Sequence, residues 1–179
     1  MSHLRSRPSG TLCEKTQGCD YSSRSAVNCT SGIAKVSFVP RKPYQLPSDF
    51  AEMTQFSLQK RDLYHISKNI GGGKSLLTLD LSDNNLSHLP RSIAKCKKLL
   101  DLNLSNNAFE KLSQGVFRLK ELTNLNLSDN KFKSFPEEIK QLTSLRLLTL
   151  PGNPICHNEE EIEKLKAWLP DCYIILSDF

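Results

Sequence analysis

Several small constellations in this chain carry the residue types that chemistry needs. Cys156 and His157 are neighbours, as a thiol nucleophile and its base must be once folded, but a third group has to orient the imidazole and none stands nearby. Asp80 and Asp101, one coil apart on a common face, resemble a carboxylate pair; general acid work would require burial to raise one of them, and an open surface does not supply it. His65 and His88 recur 23 residues apart and make two ligands without a third. The tract GGGKS at 71–75 ends like a phosphate-binding loop, yet the required first glycine is Lys68 and the tract runs toward a strand instead of a helix. Cys13, Cys19 and Cys29 with His3 lack the paired spacing of a zinc site. No set is complete, so the expectation is a protein that is not an enzyme, with no catalytic residue, no metal and no cofactor.

The elements that would position these residues come from a repeat. In frames of 23, the first place is held by Met53, Leu76, Leu99, Leu122 and Leu145, the fourth by Phe56, Leu79, Leu102, Leu125 and Leu148, and the sixth by Leu58, Leu81, Leu104, Leu127 and Leu150. The later places continue through Leu86, Phe109 and Phe132, then Leu89, Leu112 and Phe135, then Ile93, Val116 and Ile139, closing on Cys96, Leu119 and Leu142. The L-x-x-L-x-L part alternates with period two, which gives a short strand with its leucines inward. Strands joined by a crossover lie parallel. Asn84, Asn107, Asn130 and Asn153 follow each strand, where an amide side chain can bond the backbone of its own and a neighbouring coil; they are expected to form a ladder. A degenerate unit with Ile33, Val36, Phe38, Leu46, Pro47 and Phe50 extends the frame back to residue 33, and GGGKS leaves one coil without its closing apolar residue.

The stretches LLTLDLSDNNLSHLP, LLDLNLSNNAFEKLS, LTNLNLSDNKFKSFP and LRLLTLPGNPI resemble leucine-rich repeats, and the 23-residue length with LPxxI is similar to the intracellular class of Ras-suppressor-like and Scribble-like scaffolds. The resemblance implies an α/β fold: a right-handed solenoid curved like a horseshoe, with a parallel sheet on its concave face. It implies a scaffold that binds proteins, without naming the partner. The expected organisation is an N-terminal tail or cap over 1–32, repeats over 33–152 and a C-terminal cap over 153–179. In that cap Asn158 with Glu161 has capping-box spacing, Ile162, Leu165 and Leu169 share a helix face, Pro170 ends the helix, and Leu169, Cys172 and Ile174 restate the strand spacing.

Composition limits the partners. The formal net charge of +5 sits mostly in the first 50 residues, with seven Lys or Arg against three Asp or Glu, whereas the rest carries seventeen against sixteen. That argues against a body built to neutralise nucleic acid. No apolar run is long enough to span a membrane, and the basic N-terminus lacks the apolar segment of a secretory signal, so a cytoplasmic or nuclear location with free thiols is expected. Outward residues between the leucines are the broad platform left. On them the expected protein-binding set is Asp80, Asp101, Asn103, Asn124, Asn126, Leu147, Thr149, Tyr173 and Ile175, on a chain monomeric by itself. Two alternatives stay open: a secreted recognition protein with a disulfide-stapled N-terminal cap, and a structural or truncated relative with no ligand.

Overall fold

The inward leucines form straight columns. In the computed structural model, which describes residues 26–30, 33–37 and 44–177, the parallel register sets Phe56, Leu79, Leu102, Leu125, Leu148 and Ile174 side by side. Of these, Leu79, Leu102, Leu125 and Leu148 are buried, as are Leu58, Leu81, Leu104, Leu127 and Leu150 two residues on. The chain divides into two units, Met1–Lys42 and Pro43–Phe179. In the second unit the strands are β3 (Gln55–Ser57), β4 (Thr78–Asp80), β5 (Asp101–Asn103), β6 (Asn124–Asn126), β7 (Leu147–Thr149) and β8 (Tyr173–Ile175), paired in sequence order in one sheet. Each strand from β3 to β7 exits through a bond to the strand that follows, from the amide of Leu81 to the Asn103 carbonyl at 2.9 Å, for example, and of Leu104 to that of Asn126 at 2.9 Å.

The return path of each coil is a short 3-10 segment: Lys68–Gly72, Arg91–Lys95, Val116–Arg118 and Glu137–Gln141. Pro90 and Pro136 stand just before two of them, where the missing amide hydrogen is not needed. Ile70, Ile93, Val116 and Ile139 on these segments are fully buried against the leucine columns. Cys96 takes a leucine's place with no exposure, and its Sγ–H donates to the Ile70 carbonyl at 3.2 Å. The gap expected at GGGKS is filled from outside the coil. A Cβ built on Gly73 would lie 2.9 Å from the Phe50 ring, so the buried Phe50 occupies the space the missing side chain leaves.

The start of the array departs from the spacing. Ile33–Ser37 (β2) does not join the parallel sheet; it pairs antiparallel with Ala26–Thr30 (β1), from Ala26 opposite Ser37 to Thr30 opposite Ile33. Each strand carries two β-branched residues, and only Ser31 and Gly32 separate the two strands, which favours a local hairpin over a crossover. Leu46 and Phe50, assigned to the same degenerate unit, do pack on the repeat core, with Phe50 edge-on to Phe56 at 4.9 Å between ring centres. They cover the first coil without forming a strand. Phe38, Cys13, Cys19 and His3 lie outside the described residues.

The other end follows its expected plan. The helix α1 (Glu159–Trp168) starts at Asn158, whose side-chain oxygen accepts the Glu161 amide at 3.2 Å. Glu159, Glu160 and Glu161 lie in its first turn, where the exposed amide ends favour negative charge. Only half of the capping box forms: the Asn158 amide donates to the Ile155 carbonyl, and the Glu161 carboxylate pairs with Lys164 at 3.0 Å. Ile162, Leu165 and Leu169 are buried over the last coil, and β8 closes the sheet beside β7.

Candidate protein-binding face

The asparagine ladder fixes the geometry behind each strand. The Asn107 Nδ2 donates to the carbonyls of Leu81, Leu104 and Ser105 at 3.0–3.1 Å, and its Oδ1 accepts the Leu86 amide at 2.9 Å. Asn84, Asn130 and Asn153 repeat this pattern one coil apart, each reaching one carbonyl of the preceding coil and two of its own. Just before each of these residues the backbone is left-handed, at Asp83 (φ 54°), Asn106 (φ 52°), Asp129 (φ 53°) and Gly152 (φ 73°). Asp, Asn and Gly tolerate that conformation best. The recurrence of those three types ahead of the ladder residue was the available signal, and spacing of leucines alone overlooks it.

All nine residues expected to bind lie on one sheet surface. Asp101, Asn124, Leu147 and Tyr173 form one row across β5 to β8, and Asp80, Asn103, Asn126, Thr149 and Ile175 the next. The register therefore sets Asp80 opposite Asn103, and Asp101 opposite Thr78 and Asn124, so the two aspartates are not a facing carboxylate pair. The rows differ in freedom. Asp80, Asn103 and Asn126 each accept, through Oδ1, the amide of the serine two residues on, at 2.9, 3.1 and 3.0 Å, which ties them to the strand exit. In the other row the Asn124 Nδ2 donates to the Asp101 carboxylate, Leu147 is half-buried, and Tyr173 is 66% exposed. Exposed Arg146, which the spacing did not single out, flanks Leu147. A groove of about 250 Å³ between the last coil and the cap, lined by Leu145, Arg146, Trp168 and Cys172 among others, adjoins it.

The other constellations stay incomplete. The His65 and His88 rings lie with centres 5.1 Å apart and planes tilted by 51°, and among the described residues no group of three or more His, Cys, Asp or Glu is placed to hold a metal. The Cys156 thiol donates to the Leu150 carbonyl at 3.1 Å. Asp83 is held below the ordinary carboxylate range by hydrogen bonds from Asn106 and Gln59, a feature of the turn ladder. No helix among the described residues is long and apolar enough to cross a membrane.

A parallel sheet of one strand per 23 residues, backed by a buried asparagine ladder, defines a leucine-rich repeat architecture. The leucine rich repeat family profile matches residues 52–109 and 98–155, and the chain belongs to that family. A leucine-rich repeat protein of Leptospira interrogans is similar in structure at 32% identity and TM-score 0.65, over 75% of this chain and 34% of that one, so this chain spans about a third of its length. The Drosophila melanogaster SNF/U2A' complex contains a chain of like fold, at 23% identity and TM-score 0.57, with 69% of this chain and 72% of that one covered. Internalin C2 of Listeria monocytogenes shares the fold at 22% identity and TM-score 0.50, over 58% and 44%. A search of curated proteins returns no match.

Proposed function

We propose that this protein is a non-enzymatic adaptor or regulatory subunit that binds a protein partner on the sheet face, with Asp101, Asn124, Leu147 and Tyr173 as its principal contacts. The observation that carries this reading is the contrast between the two rows. Asp80, Asn103 and Asn126 spend an oxygen on the strand exit, whereas the outer row ends in an exposed aromatic beside Leu147 and Arg146. Tyrosine and arginine are among the side chains that concentrate binding energy at protein interfaces. Thr149 and Ile175 extend the platform at the same end. The leucine-rich repeat fold supports a protein partner in general terms.

The reading keeps the cytoplasmic setting expected from the sequence, and Cys96, Cys156 and Cys172 are thiols compatible with it. The test is affinity capture from cell extract with the wild-type chain beside Tyr173→Ala and Asp101→Lys variants. A saturable partner kept by the wild type and lost by both variants, with unchanged melting temperature, is the expected result; equal capture by all three removes the sheet face from the interaction.

A further inference from the structure

Charge on the repeat unit is segregated. Residues 84–100 contain Arg91, Lys95, Lys97 and Lys98 and no acid, although the unit as a whole is nearly neutral. The cause lies in one place of the coil, the two-residue turn between each 3-10 segment and the next strand, occupied by Lys74-Ser75, Lys97-Lys98 and Lys120-Glu121 in three successive coils. Lys95 and Arg118 end the 3-10 segments directly before two of these turns. The charged side chains among these are all exposed, and Ser75 is half-buried. The ion pairs among the described residues lie elsewhere, at Lys140 with Glu137, Lys164 with Glu160 and Glu161, and Lys166 with Glu163. Lys120 donates to the Gln141 carbonyl, and Glu121 is the one acid on the turns. Stacked like charges repel one another, so the rim is held together by the coils behind it and leaves its field open to an outside partner.

We propose that this lysine rim is a second docking surface, for an acidic polypeptide segment. Flexible ammonium groups without a pocket cannot select a single phosphate, whereas they can follow a chain of carboxylates. Nucleic acid fits less well, since no aromatic side chain stands on these turns to stack a base. A bilayer fits less well too, because the turns carry no apolar group to enter it. Successive coils advance about 4.8 Å and an extended peptide places one face's side chains about 7 Å apart, so a glutamate-rich segment crossing the coils meets a cation at nearly every step. The rim precedes the strands, and the inference stands whether or not the sheet face binds anything.

The experiment uses the full chain and a fluorescein-labelled decaglutamate peptide, read by anisotropy at low and at physiological salt. Wild-type protein is expected to bind with an affinity that falls as salt rises, and a Lys74→Glu, Lys97→Glu, Lys98→Glu triple variant to lose roughly tenfold or more. Tyr173→Ala is expected to bind the peptide as wild type does, which separates this surface from the sheet face. Unchanged circular dichroism and melting temperature establish that the triple variant is folded; if it is not, Lys97→Gln with Lys98→Gln replaces it. Equal affinity of the folded variant and wild type overturns the proposal. So does wild-type binding to phosphatidylserine vesicles or single-stranded oligothymidine with none to the peptide.

Discussion

Asn107 and Asn106 are adjacent and chemically identical, yet their surroundings give them different work. Asn107 donates to three backbone carbonyls and accepts one amide, so Asn107→Ala leaves several polar groups without partners in a half-buried place, at about 1–3 kcal/mol for each one left unmet. Exposed Asn106 holds a left-handed turn and donates to the Asp83 carboxylate. Denaturant midpoints are expected to fall further for Asn107→Ala than for Asn106→Ala, with Asn106→Gly nearly neutral. A second residue-level outcome concerns pH. Burial pushes the Cys96 thiol up from 9.0 to about 11. The unfolded chain gives up that proton first, so stability is unaffected below the unfolded value and declines as pH climbs from there toward the folded one. Urea titrations between pH 8 and 11 are expected to show that decline, and Cys96→Ala to show a shallower one; Cys172, also raised to about 11 by burial, keeps part of the slope in the variant.

At the scale of elements, the glycine tract and the phenylalanine that fills it form one unit. Phe50→Ala removes the ring packed on Gly73 and is expected to cost about 3–5 kcal/mol by chemical denaturation. Leucine at position 73 is expected to be damaging alone and less damaging beside Phe50→Ala, a coupling that a double-mutant cycle measures. Gly71→Ala has no such remedy, because its Cβ would meet the Ser92 carbonyl oxygen at 2.5 Å. The strands, their order, the ladder asparagines and the closing helix and strand were legible in the sequence, since a period of 23 leaves one consistent way to turn the leucines inward. The degenerate unit at 33–50 was not. The apolar positions of 33–38 satisfy both a repeat strand and a hairpin arm, and periodicity cannot distinguish a partner next in sequence from one a coil away. The proposed binding face was legible only as a surface; spacing gives which side chains point outward, while the serine two residues after Asp80, Asn103 and Asn126 ties those three to the strand exit.

Over the whole repeat unit, order is graded from end to end. In the first coil Arg61 stands in the ladder place, so the backbone there depends on Asn84 reaching back to the Arg61 and Leu63 amides at 3.1 and 3.0 Å. Met53, Phe56 and Leu63 are only partly buried, against full burial of their counterparts in the later coils. Hydrogen exchange is expected to show amides of 55–63 opening first and those of 102–127 last; uniform protection across the coils contradicts it. The ladder has an evolutionary corollary as well. Because each asparagine serves its own coil and the one before, gaining or deleting a whole 23-residue unit recreates the same junction, while a slip of one or two residues turns the leucines toward water. Length is therefore the trait such a gene can alter most cheaply, and the number of coils can drift between descendants while the design of each coil stays put.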